Sequence, residues 1–240
     1  MRLNVALVPA AGRGTRLGRI GAALPKALVP IAGRPAVDHI FEMLREAGIL
    51  RVFLVVGYKK EQIISYVEDG SEFGLKVAHI TQPNQRGIAD ALLQADSFIH
   101  EDFLCLLGDT VLTPKNSLKG LIEFHMKRKP VATLLVKRVE DVREYGIIEP
   151  EGDEIRRVIE KPQSIADAPS KLAIVGCYAF SPKIFEVAKK TPTNRRTGEI
   201  ELTDAIQVLI ESGEHVCYLE FKGTYIDTGK LQNGEALAGL

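Results

Sequence analysis

The chain has 240 residues, 45% of them hydrophobic, and its 31 basic and 31 acidic side chains cancel to no net charge. That length and apolar content suffice for one α/β domain with a packed core. The charge balance argues against nucleic acid or an anionic membrane as a partner. No apolar run approaches the ~18 residues of a membrane span.

Residues 3–8 read as a first buried strand rather than a leader peptide, because a short apolar run with one charge enters a glycine-rich loop at once. That loop, PAAGRGTRLGRIGAALPK over residues 9–26, is the most informative stretch. Gly12, Gly14 and Gly18 sit among Arg13, Arg16 and Arg19, Lys26 closes the segment, and no acidic residue interrupts it. Glycines let backbone N–H groups converge on an anion, arginine offers a fork to phosphate oxygens, and lysine adds a point charge. The pattern suits a polyphosphate. It is neither a dinucleotide fingerprint, which needs a third glycine where Leu17 stands, nor a Walker-type loop, which needs a Gly-Lys-Ser/Thr. Pro25, Pro30 and Pro35 then predict extended chain, so that no helix directly follows the loop and phosphates rest on its backbone and cations.

Further on, strand-like runs at 52–56, 77–80 and 103–107 alternate with helical spacing at 37–47, 61–68 and 88–97. This predicts βαβ units in a mostly parallel sheet with helices on both faces. A strand at 132–139 follows, then 146–149 and 156–160 joined as a hairpin through Pro-Glu-Gly-Asp-Glu. A strand at 173–180, a helix at 184–189 started by Pro182, a helix at 200–212 and a strand at 216–221 complete the pattern, with a short helix expected in 230–240. The natural partition is one domain, with a nucleotide-binding half over 1–112 and a second half over 113–240 sharing one sheet. Cys105, Cys177 and Cys217 lie in apolar runs without a C-x-x-C, which predicts burial and suits a reducing cytoplasm. The five histidines show no metal spacing.

Asp109, in LCLLGDT, and Asp227, in GTYIDTG, each follow an apolar run and are expected at the sheet edge where α/β proteins bind ligands. Mg²⁺ takes few protein oxygens and completes its shell with substrate phosphate. Each aspartate alone would equally cap a turn; facing a phosphate loop, the two favour metal. Gln82, ahead of Gly87, Ala89 and Asp90, has an amide able to read a base edge, and Gly87 would let the base approach; an ordinary strand-to-helix loop accounts for this stretch equally. Glu160-Lys161 can bind sugar hydroxyls and a phosphate, although alone it reads as a solvated ion pair worth ~0–1 kcal/mol.

The chain as a whole resembles the sugar-1-phosphate nucleotidylyltransferases, closest in flavour to the glucose-1-phosphate thymidylyltransferase and uridylyltransferase group. GRGTRLGRIGAALPKALVPIAGRP is followed in order by QPNQRGIADAL, LLGDT, EYGIIE, EKP, IVGCYAF, TGEIELTDAI and YIDTG. The resemblance implies a Rossmann-like, mostly parallel mixed sheet and an enzyme that joins an NTP, dTTP or UTP foremost, to a sugar 1-phosphate, glucose 1-phosphate foremost, releasing pyrophosphate with Mg²⁺ as cofactor. It implies that Arg16 grips the β- and γ-phosphates and Lys26 bridges phosphate oxygens. Asp109 and Asp227 would hold the metal. Ala11, Gly12, Gly14, Thr15, Arg16, Gln82 and Gly87 would meet the nucleotide. Gly146, Glu160 and Gly176 would line the sugar, with Lys161 on its phosphate. Thr197 stands where thymidylyltransferases carry an arginine, with Arg196 one residue away, and Tyr225 replaces a tryptophan. QRGIADAL is also similar to adenylyl-transferring relatives, so the base stays open. The alternatives are a non-catalytic nucleotide-sugar-binding relative, or an adenylyl-, guanylyl- or cytidylyl-transferring member of the fold. Assembly into homo-oligomers is left open. The hexapeptide repeats of a β-helical second domain are absent.

Overall fold

Alternation of apolar strands and amphipathic helices builds a nine-stranded sheet covered on both faces. The computed structural model describes residues 3–14 and 17–230. Thr15, Arg16 and residues 231–240, including most of the expected final helix, lie outside them.

The first half runs β1 (Val5–Pro9), α1 (Gly18–Ala23), a small hairpin of β2 (Pro30–Ile31) and β3 (Arg34–Pro35), then α2 (Ala36–Glu46) and β4 (Arg51–Val56). It continues with α3 (Lys60–Val67), β5 (Lys76–Thr81), α4 (Ile88–Leu93) and β6 (Phe103–Leu106). The second half adds β7 (Thr110–Thr113), α5 (Ser117–Arg128), β8 (Ala132–Arg138), β9 (Gly146–Glu151), β10 (Glu154–Glu160) and β11 (Leu172–Phe180). α6 (Lys183–Ala188), α7 (Leu202–Glu211), β12 (Val216–Glu220) and β13 (Thr224–Asp227) follow.

The strand order is β5-β4-β1-β6-β11-β8-β12-β10-β9. β5, β4, β1 and β6 are parallel, and only β11 and β10 run against the rest. Successive residues of β1 serve opposite faces. Ala6 and Val8 join the core beneath α2, α3 and α5, whereas Val5 and Leu7 join the core beneath α4, α6 and α7. That two-sided burial is why the parallel strands read as unbroken apolar runs. The three cysteines are buried as expected.

Two expectations change. The extended chain after the glycine loop is interrupted by α1. Its residues, Gly18–Ala23, lie ahead of Pro25, and Lys59 caps the turn by donating from Nζ to the carbonyls of Ala22 and Ala23. The prolines therefore limit this helix rather than prevent it. The helix expected over 88–97 ends at Leu93 and dissolves into turns. α5 and the β7–β13 ribbon did not register as elements in the sequence.

From β1 the chain moves through α2 and α3 to β4 and β5 on one side, then returns through α4 to β6 on the other side of β1. The connections after β1 and β6 thus part at a switch point, where open α/β sheets bind ligands. Among the described residues no helix is long and apolar enough to cross a membrane.

Candidate active site

A cavity of about 770 Å³ opens at this switch point. Gly108 N donates to the Pro9 carbonyl at 2.9 Å, and a Cβ on Gly108 would lie 2.8 Å from Ala10 Cβ. Glycine at this position lets the two loops start side by side before they part.

The phosphate-loop residues Ala11, Gly12, Arg13 and Gly14 line one wall. Gly14 has φ of +64°, and a side chain there would come within 2.8 Å of Lys26 Cγ. The stem of Lys26 lies in that space, and its Nζ sits 2.9 Å from Asp109 Oδ2. Arg16, expected on the same wall, is outside the described residues.

Asp227 reaches this corner from the far end of the chain. β13 pairs antiparallel with β7, setting Asp227 opposite Thr110, and Thr228 N donates to the Asp109 carbonyl at 2.9 Å. Asp227 Oδ1 accepts from Gly229 N at 2.8 Å. A Cβ on Gly229 would fall 2.9 Å from Lys26 Nζ and 3.0 Å from Asp227 Oδ1, so ammonium and carboxylates flank one small space. Among the described residues no cluster of three or more His, Cys, Asp or Glu side chains could hold a metal. Two hard carboxylates already facing a cation fit Mg²⁺, which needs few protein ligands, better than they fit a metal that demands a full protein cage.

At a second corner, Gln82 is buried and its Nε2 donates to the Gly87 carbonyl and to Asp90 Oδ2. Gly87 has φ of +107°, and a Cβ there would meet the Ile200 carbonyl oxygen at 2.5 Å. Its missing side chain thus serves the approach of the segment before α7. Ile200 N also donates to the Arg86 carbonyl at 2.7 Å.

A third corner is built from β9, β10, β11 and α7. Glu160 Oε2 accepts from Thr203 Oγ1 at 2.9 Å, and Glu160 Oε1 pairs with Lys161 Nζ at 2.8 Å. A Cβ on Gly146 would lie 2.6 Å from Thr203 Cγ2 and 3.2 Å from Glu160 Oε2, so glycine leaves room for that carboxylate. Gly176, at φ +68°, sits where β11 shifts register between Ile174 and Tyr178. This bulge lets Leu107 N donate to the Gly176 carbonyl.

The sequence reading gave no roles to several lining residues. Thr203 holds Glu160, and Glu201 stands close enough that burial, and then the charge of Glu160, raises its carboxyl above the usual range. Both belong to TGEIELTDAI, a motif legible as a motif but not residue by residue. Arg196 is not among the residues that line the cavity. Its Nη1 and Nη2 donate to the carbonyls of Lys161 and Glu160, both at 2.9 Å. Tyr225 packs against Tyr145 with ring centroids 6.4 Å apart, so ring packing survives the loss of tryptophan. Its hydroxyl is pushed well above its ordinary pKa, first by burial and then by Asp227 and Asp109. No described histidine lines the cavity.

One cavity at the switch point thus gathers the glycine loop, two carboxylates beside a lysine, the Gln82 corner and the Glu160–Lys161 corner. The nucleotidyl transferase family model matches residues 5–235, and the chain belongs to that family. It is 40% identical over 233 residues to a glucose-1-phosphate thymidylyltransferase of Streptomyces griseus, covering 94% of this chain and 62% of that protein's length. It is 36% identical to the UTP–glucose-1-phosphate uridylyltransferase AglF of Haloferax volcanii, covering 93% of this chain and 90% of that one. A crystal structure of a UDP-glucose pyrophosphorylase complexed with UDP-glucose superposes with a TM-score of 0.86 at 28% identity, covering 95% of this chain.

Proposed function

We propose that this chain transfers a nucleotidyl group from UTP or dTTP to a sugar 1-phosphate, glucose 1-phosphate foremost, yielding an NDP-sugar and pyrophosphate. The observation carrying this reading is that the glycine loop, Asp109 and Asp227, the Gln82 corner and the Glu160–Lys161 corner line one cavity. The names of the similar proteins point the same way. The half over 1–112 would serve mainly the nucleotide and that over 113–240 mainly the sugar phosphate. The setting is cytoplasmic.

A phosphate oxygen of the sugar 1-phosphate attacks the nucleotide α-phosphorus, and the bond to the pyrophosphate oxygen breaks. The attacking monoester is already anionic at neutral pH, so no general base is needed. The work left to the protein is alignment and charge stabilisation. Gly12 and Gly14 offer backbone to the triphosphate, and Arg16 grips its β- and γ-phosphates. Lys26 leaves Asp109 for the phosphate oxygens at the reacting centre. Glu160 holds sugar hydroxyls and Lys161 their phosphate, with Gly146 and Gly176 giving the ring room. Asp109 and Asp227 would hold Mg²⁺, which when bound supplies charge neutralisation on the attacking and leaving oxygens.

The test is pyrophosphate release across a panel of nucleoside triphosphates and sugar 1-phosphates with Mg²⁺. Turnover is expected with UTP or dTTP and glucose 1-phosphate. Tight nucleotide-sugar binding without turnover for any pair would select a non-catalytic binding protein instead.

A further inference from the structure

The Gln82 side chain carries an orientation that its sequence does not show. Nε2 donates to the Gly87 carbonyl at 3.1 Å and to Asp90 Oδ2 at 2.8 Å. A carbonyl and a carboxylate have only lone pairs to offer, so only the NH₂ half of the amide can face them. The flipped amide would set three acceptors against one another in a buried corner. Oε1 is therefore turned away from Asp90. Among the described residues no hydrogen bond reaches Oε1, yet it is not among the buried side-chain atoms left without a partner. It keeps open surface on a residue only 3% exposed that lines the cavity.

Asp90 is itself held. It is 2% exposed, its other oxygen accepts from Arg86 Nη2 at 2.7 Å, and its carbonyl accepts from Gln94 Nε2 at 3.0 Å. Arg86 keeps its guanidinium largely in solvent, where it balances the buried carboxylate.

We propose that Asp90 is a positioning residue that locks the Gln82 amide with its carbonyl towards the base, so that among pyrimidines the site selects one with a protonated ring nitrogen. Uracil and thymine carry a hydrogen on N3 that can donate to Oε1. Cytosine has the same ring size but a lone pair at N3, which would face the lone pairs of Oε1. Adenine has a ring-nitrogen lone pair on the same edge, so Asp90 counts against the adenylyl-transferring alternative. The inference rests on the reading of Gln82 as the base contact.

The experiment compares UTP, dTTP and CTP with the full-length protein, by kcat/KM with glucose 1-phosphate and by calorimetric Kd in the presence of Mg²⁺. A mismatched buried acceptor predicts a preference for UTP or dTTP over CTP of at least ~10²-fold. Asp90→Asn replaces the carboxylate with an amide that can present either half to Gln82. The preference should shrink at least ~10-fold, with KM for glucose 1-phosphate unchanged. Asp90→Ser, whose hydroxyl either donates or accepts, carries the same comparison should Asp90→Asn fail to fold. A wild-type protein that binds CTP as well as UTP overturns the proposal, as does an unchanged preference in a folded Asp90 variant. Gln82→Ala separates the two layers. A collapsed preference there beside an intact one in the Asp90 variants keeps the base contact and removes Asp90. An intact preference in Gln82→Ala removes the base contact itself. Calorimetric selectivity without turnover would uphold the inference while refuting the catalytic reading.

Discussion

Arg196 carries its consequence through two backbone carbonyls. It fixes the turn in which Lys161 has φ of +44°, a left-handed conformation that a lysine adopts only when its surroundings hold it there. Arg196→Ala should raise KM for glucose 1-phosphate by ~5–30-fold, the scale of about 1–2 kcal/mol from lost charged hydrogen bonds, and leave KM for UTP unchanged. Steady-state kinetics with each substrate varied separately checks it. Asp109→Asn keeps the shape of the side chain and removes the charge. Turnover should fall at least ~10²-fold while the far-ultraviolet circular dichroism stays the same. Glu201 gives a prediction in pH. Burial and then Glu160 raise its carboxyl above 4.5, partly offset by a hydrogen bond from Thr197. The folded chain therefore holds this proton more tightly than the unfolded chain, and stability falls as pH rises from 4.5 through the raised value. Glu201→Gln should melt above the wild type at pH 7, and the two should converge below pH 4.5 in thermal scans.

At the scale of elements, long apolar runs were legible and short or basic ones were not. β1, β4, β6 and β11 are buried on both faces, so their sequences carry an unambiguous signal. Asp109 and Glu160 could be placed because each follows such a run or ends a hairpin strand, whereas Asp227 ends β13, which no apolar run announced. α5 escaped notice because Gly120 and its basic residues dilute a stripe reduced to Leu118, Leu121, Ile122 and His125. β7 and β13 have four residues each and are ordered by pairing with one another, a contact no local pattern can announce. For the same reason Thr203 and Glu201 looked like ordinary positions of an amphipathic helix start. The bulge at Gly176 is the element-scale device most exposed to test. A Cβ there would lie 2.6 Å from Thr110 Oγ1 at a positive φ. Gly176→Ala should cost about 1–3 kcal/mol in urea unfolding. It should also lower activity, because Thr110 adjoins Asp109.

For the whole molecule, what matters is that one cavity is walled by both halves of the chain. A ligand spanning it binds the folded state alone. Mg²⁺ with UTP at about 100 times its Kd should add ~2.7 kcal/mol, a rise in Tm of ~5–10 °C for a domain of this size. Scanning fluorimetry checks this, and Asp227→Asn should lose most of the shift. The overall class of fold was legible because the βαβ alternation has few solutions. The insertion of antiparallel β11 beside β6 was not, because strand order is decided by packing between distant segments.

The Thr228–Asp109 backbone hydrogen bond also bears on how the protein is made. Synthesis delivers the phosphate loop first and Asp227 long afterwards. A chain ending before β13 keeps the glycine loop and Asp109 but lacks the second carboxylate of the proposed site, which is set in place only when β13 pairs with β7. Under the proposed function, fragments that end before β13 should release no pyrophosphate from nucleoside triphosphates.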